Sequence, residues 1–296
     1  MRGGLEGTVE NVVGIERAYK RALEVLEIDR IRTEDFEDLY GAEQIQRDQA
    51  YVERMEKEFA AGETPVEKRD REVATILEAI IHEAIEQANW FGEEAHTITP
   101  TRFDDIVAGI DCLVGFREEN EHDASYLGLA IDVTFSENQT TKKLKRIHDT
   151  DIEGGELKKV KYFMSEHSPV RGERRDIPRV VVGTDAKAVE DLIEVWMDPD
   201  RKRKNKALAE HPLQYMLLEQ IHMQLETFEQ YARSLGKDNV AAIYGRTNKI
   251  ITDIIKEKPR PRTIGFEHDR VYSGIRSALA IMFKPKTESR RLRAGG

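Results

Sequence analysis

The chain has 296 residues, 39% hydrophobic and 34% charged, with a formal net charge of −10. That length supports one sizeable core with helical additions, and a charged fraction above the ~25% usual for soluble domains points to long solvated helices around it. The negative balance excludes a protein that coats nucleic acid through bulk charge, and the single cysteine, Cys112, excludes an internal disulfide.

Residues 8–61 carry a helical pattern almost throughout, with Val12, Ile15, Ala18, Tyr19, Ala22, Val25 and Leu26 at three- and four-residue steps. Thr33 followed by Glu34 and Asp35 predicts an N-cap, opening a helix through Phe36, Tyr40, Val52 and Phe59 that ends near Gly62. Thr64-Pro65-Val66-Glu67 is a capping box with proline at the first helical position. The helix it opens is expected to run to about Trp90, with Val73, Ile76, Leu77, Ile80, Ile81, Ala84 and Ile85 on its apolar face and Gly92 as its stop.

The period then changes. Residues 106–116 and 126–135 are β-branched, aromatic and short, which predicts two strands joined by the polar loop REENEHDAS. Helical spacing returns over 138–152 and breaks at Gly154-Gly155. Residues 158–164 and 179–183 are expected as strands, and Thr184 or Asp185 as the cap of a helix to about Met197. Further helices are predicted over 212–234, 239–255 and 272–282. The fold class is therefore α/β: a small mixed sheet flanked by helices over 64–235, a helical extension over 1–63 and a helical, basic region over 236–296.

Charge is uneven along this plan. From Lys256 to Gly296 there are eleven Lys or Arg against four Asp or Glu, so the tail is +7 and the rest −17. A second basic run, RKRKNK from Arg201 to Lys206, lies between two helical segments. Both are candidates for meeting phosphates, and a solvated loop and tail accounts for them equally well. The longest apolar runs, 110–116 and 127–135, fall far short of the ~20 residues of a membrane span. With MRGGLEGTVE lacking the apolar stretch of a signal peptide, a cytoplasmic protein is expected.

Chemistry concentrates in the two central strands, Gly-Ile-Asp111-Cys-Leu-Val-Gly-Phe and Leu-Gly-Leu-Ala-Ile-Asp132-Val-Thr-Phe-Ser. An ionised aspartate in an apolar strand costs free energy unless it is paired or bound to metal. If the strands pair through the intervening loop, both carboxylates reach one edge of the sheet, where a hard divalent cation suits them.

A helical glutamate, an aspartate in one strand, then an acid in the next strand followed by a helix resembles the PD-(D/E)xK nuclease superfamily. Gly109-Ile110-Asp111 looks like its metal-binding aspartate and Ala130-Ile131-Asp132 like the acid of its second half-motif. The resemblance covers residues 70–200 and implies a restriction-endonuclease-like core. It also implies magnesium or manganese on Asp111 and Asp132, and hydrolysis of DNA or RNA phosphodiesters with help from a lysine. Thr134 stands where that lysine belongs. With Leu144 and Ile147 as the buried face of the next helix, Lys143 falls nearest its edge and is the expected substitute, ahead of Lys145, Lys159 and Lys161. Glu78 and Glu83 flank the apolar stripe of the preceding helix on opposite sides. Glu83, nearer the end that feeds the sheet, is the expected helical acid. Asp105 is a further candidate acid, while Asp104 and Asp105 equally suit a turn cap. The alternative is a catalytically degenerate module of the same fold that binds nucleic acid or protein. In a third arrangement, a cation side chain bridges the two aspartates.

Cys112 alternates away from Asp111 and is expected in the core. The eight histidines show no metal-binding spacing, and the closing Arg-Leu-Arg-Ala-Gly-Gly lacks a ubiquitin-like strand pattern before it.

Overall fold

The computed structural model describes residues 3–116, 127–135, 137–258 and 266–284. Helix α1 (Gly3–Ile28) leads through a 3-10 turn (Thr33–Phe36) and the short α2 (Glu37–Tyr40) into α3 (Ala42–Gly62) and α4 (Pro65–Ala88). Then come β1 (Ala95–Ile98), α5 (Arg102–Ala108), β2 (Cys112–Phe116), β3 (Leu127–Thr134) and α6 (Glu137–Arg146), which continues as a π-helix over Ile147–Glu153. A hairpin of β4 (Lys158–Ser165) and β5 (Ser168–Ile177) precedes β6 (Arg179–Gly183). The rest is helical: α7 (Ala186–Trp196), α8 (Arg201–Ala209), α9 (Leu213–Ser234), α10 (Asp238–Glu257) and α11 (Arg270–Met282).

Four strands form one mixed sheet in the order β1-β2-β3-β6. The first two pairings are antiparallel and the β3–β6 pairing is parallel. A parallel neighbour needs a crossover, and α6 supplies it. Alternation divides the sheet. Cys112, Val114, Leu129, Ile131 and Val133 join the main apolar cluster, which runs from Ile15 on α1 to Phe283 after α11. Leu113 and Ala130 face a smaller cluster with Ile98, Ile110, Val160 and Tyr162, roofed by the hairpin and by Phe36 and Ile45. The terminal helices thus share the core of the sheet.

Local signals account for most boundaries. Thr64 Oγ1 accepts from Glu67 N at 3.2 Å while the Glu67 carboxylate accepts from Thr64 N at 2.9 Å, the full capping box. Helix α4 stops earlier than Gly92, at Asn89, whose φ of +52° is the left-handed conformation asparagine tolerates. The expected Thr33 N-cap does not form: the turn's flanking residue is Arg32, and Gly41, at φ +79°, breaks the helix before α3.

Residues 106–108 are a correction. They are the end of a helix rather than strand, because Thr101 Oγ1 caps its start by accepting from Asp104 N at 3.1 Å and Gly109, at φ +66°, ends it. The run RKRKNK is likewise helical rather than a loop, capped by Asp200. Strands β1 and β5 lie outside the strands expected from the sequence.

The outer edge of β6 is closed by side chains. Gln224 donates to Val181 O at 2.7 Å and accepts from Val181 N at 2.9 Å, and Gln220 does the same for Gly183 at 2.7 and 2.9 Å. Spaced i, i+4 on α9, the two amides substitute for a neighbouring strand. Replacing Gln224 with leucine leaves a buried N–H and C=O of Val181 unpaired. It is expected to cost about 2 to 4 kcal/mol in urea unfolding; an unchanged midpoint would exclude the clamp.

Candidate active site

The β2–β3 register sets Cys112 opposite Ile131, and Asp111 N extends the ladder by donating to Ile131 O at 3.1 Å. Asp111 and Asp132 therefore stand side by side at the end of the sheet, on the face opposite Cys112 and Val133. The Asp111 carboxylate accepts from Val133 N at 2.6 Å, which fixes its rotamer. Asp132 is buried, at 5% exposure. Lys143 reaches back from α6, contacting the Asp132 carboxylate and donating to Val133 O at 2.6 Å. An ammonium thus reaches the aspartate pair from the next helix. Thr134 itself is buried, and its carbonyl lies where a β-carbon at Gly183 would project, so this end of the β3–β6 pair is packed backbone to backbone.

Glu78, not Glu83, is the helical acid near this pair. It lines the same cleft as Asp111, Asp105 and Lys143. Glu83 lies five residues on, about 140° around the helix, and is taken up elsewhere. It pairs with Arg21 and Lys204, each at 3.2 Å, and accepts from the Trp196 indole N–H, tying α4 to α1, α7 and α8. Lys204 is accordingly buried, and Arg203 is engaged with Asp198, so two cations of the RKRKNK run serve the fold. Lys161 is paired with Asp48 and Lys145 with Asp149, away from the aspartates. Asp104 accepts from Lys161 N at 2.7 Å and Tyr162 N at 3.0 Å, anchoring the hairpin. Residues 117–126 and those beyond residue 284 lie outside the described residues.

Electrostatics set the site apart. Burial raises the pKa of Asp111, to about 7; Lys143 pulls it down, while Asp132 and Asp105 push it further up. Glu78 is raised well above the carboxylate range by burial and then by Asp111 and Asp105. Asp105 is also raised, chiefly by burial, with Arg102 and Arg30 opposing. Burial works against the Lys143 ammonium, but Asp132 and Asp111 outweigh it, and its pKa rises. Lys143 therefore acts as a cation, not a base, near neutrality. Cys112 is buried and its thiol is pushed up by burial, so it is no nucleophile.

The folded chain holds a proton on Asp111 more tightly than the unfolded chain does. Its contribution to stability is therefore lost as pH rises between 3.8 and about 7, by about 1.4 kcal/mol per pH unit. Asp111→Asn is expected to melt higher than wild type at pH 8 without metal and no higher at pH 4. Equal melting at both pH values would show that Asp111 carries no strain.

Among the described residues, no group of three or more His, Cys, Asp or Glu side chains is arranged to hold a metal ion. The aspartate pair, with all-oxygen donors, fits the lighter demand of magnesium, which takes one or two carboxylates and completes its shell with water and substrate phosphate. Fold and site together define a mixed α/β protein with a carboxylate–lysine cluster at the end of its sheet. Searched against protein-family models, curated proteins and solved structures, the chain matches none. Among the described residues no helix is long and apolar enough to cross a membrane.

Proposed function

We propose that this protein is a divergent, magnesium-dependent nuclease that hydrolyses phosphodiester bonds of DNA or RNA. The observation that carries the proposal is the meeting of Asp111, Asp132 and Lys143 at one end of the sheet, with Glu78 facing the same cleft. Two further features support it. The sheet order β1-β2-β3-β6, with antiparallel, antiparallel and parallel pairings, is one that a restriction-endonuclease-like core would use, with α5 inserted between β1 and β2 and the β4–β5 hairpin before β6. The lysine missing at Thr134 has a substitute that approaches the same carboxylates from α6.

In this reading Asp111 and Asp132 hold the cation, manganese serving in place of magnesium. The metal supplies charge stabilisation and an activated water when bound. The Val133 amide holds Asp111 in place. Lys143, kept protonated by the aspartates, orients the attacking water or a phosphate oxygen. Glu78 and Asp105 border the same cleft, Asp105 with Arg102 beside it.

Labelled single- and double-stranded DNA and RNA, incubated with the protein and magnesium or manganese, test the proposal. Cleavage by wild type and a loss of about a hundredfold or more in Asp132→Asn are expected. No cleavage by wild type, or equal cleavage by the variant, would refute it.

One observation favours a second reading. The Lys143 ammonium already bridges Asp132 and Val133 O, as in a site paired internally for structure. A non-cleaving protein that Asp132→Asn merely destabilises would be the result that selects it.

A further inference from the structure

The carboxylate end of the sheet opens into a cleft of about 470 Å³ whose far wall is built by α1 and α3, the helices preceding the sheet. That volume suits a ligand of one or a few rings. The far wall presents Tyr19 and Leu23 from α1 and Phe59 from α3. Leu23 and Phe59 line the cleft and are exposed, at 38% and 59%. Tyr19 is held by Arg71, which donates to its hydroxyl at 3.0 Å.

The cations around the cleft are already engaged. Arg71 forms a two-pronged pair with Glu63 at 2.8 and 3.1 Å, Arg102 lies 3.5 Å from Asp105, and Lys143 is on Asp132. Glu56 and Glu63 add negative charge to the same walls. A paired duplex is gripped through rows of cations on its two backbones; in this cleft Arg71, Arg102 and Lys143 are each paired with a carboxylate instead. An unpaired base is gripped by stacking on an aromatic face, which needs little charge.

We infer that the cleft takes one unpaired nucleotide at a time, with its base against Phe59 and Leu23 and its phosphate at the end lined by Asp111 and Lys143. The substrate is then a single strand or a frayed strand end. This rests on the nucleic-acid part of the proposed function.

Fluorescence anisotropy tests it, using the full chain with calcium in place of magnesium and three labelled probes: a thymidine oligonucleotide, a uridine oligonucleotide and a blunt DNA duplex. At least one single strand is expected to bind about tenfold or more tighter than the duplex. Phe59→Ala is expected to weaken that binding about tenfold, the range of one base–aromatic stack, and Phe59→Tyr to restore it. A preference for either single strand supports the inference and identifies the polymer. Binding of the duplex as tight as either strand, an unaffected Phe59→Ala, or no binding of any probe would overturn it. Because Phe59 is exposed, Phe59→Ala is expected to melt with wild type, so a binding loss is not a folding loss. Cleavage with magnesium is scored separately: cleavage in the interior of the duplex overturns this inference and leaves the nuclease proposal standing. Tight single-strand binding without cleavage does the reverse.

Discussion

Arg179→Met is expected to lower the melting temperature by about 10 °C, following a loss of about 3 to 5 kcal/mol. Arg179 opens β6 with no exposed surface at all, and its guanidinium meets the Asp151 carboxylate through two contacts of 3.1 and 3.4 Å. Asp151 is equally buried, on the π-wound turn that follows α6. Lys158, at 3.5 Å, is its other cation. Removing the guanidinium leaves the buried Asp151 carboxylate with Lys158 as its one remaining cation at a longer distance, whereas removing both partners leaves no buried charge. The double variant Arg179→Met, Asp151→Leu is therefore expected to recover most of the loss, because Lys158 is partly exposed and can turn to water. Calorimetric melts of the two variants decide this, and equal destabilisation of single and double variants would show that packing, not charge, is what Arg179 supplies.

Lys143→Met is expected to reduce metal-dependent cleavage by two to four orders of magnitude. It is also expected to tighten cation binding several-fold. The ammonium sits on Asp132, where it competes with a cation for the same carboxylate and repels it. Losing it also leaves Asp132 and Asp111 without the ammonium that offsets them. The variant should melt below wild type in chelator, and the gap should narrow as magnesium is added. A structural lysine gives a different pattern: lower melting that magnesium does not repair, and no gain in cation affinity. Kinetics and titration calorimetry on one preparation separate the two.

The sequence pattern carried the parts of this architecture that depend on near neighbours. The Thr64 capping box, the apolar stripe of α4 and the ends of α9 are set within a turn or two of chain. Lys143 could be chosen from its neighbours because its helical phase relative to Leu144 and Ile147 is fixed by geometry alone. The choice between Glu78 and Glu83 could not be made that way. Both border the stripe, and what separates them is which neighbour each side of α4 meets: the aspartate end of the sheet for Glu78, and Arg21, Trp196 and Lys204 for Glu83.

Other misreadings share that cause. Ile106 and Val107 resemble the start of a strand until the Thr101 cap and Gly109 are recognised as the two ends of a helix. The RKRKNK run looks like uniform positive surface, yet Lys204 turns inward to Glu83. The four residues of β1 are too short to show a period. Gln220 and Gln224 left a trace, two amides one turn apart among Leu217, Ile221, Leu225 and Phe228, but only the bare edge of β6 explains why they are there.

The claim on which the rest depends is that Asp111 and Asp132 together form a divalent-cation site. Titration of the metal-free protein with manganese, followed by calorimetry at pH 8, measures this directly. Saturable binding to wild type is expected, lost in Asp132→Asn and in Asp111→Asn and kept in Glu83→Gln. Absence of saturable binding to wild type, or undiminished binding in both aspartate variants, would contradict it.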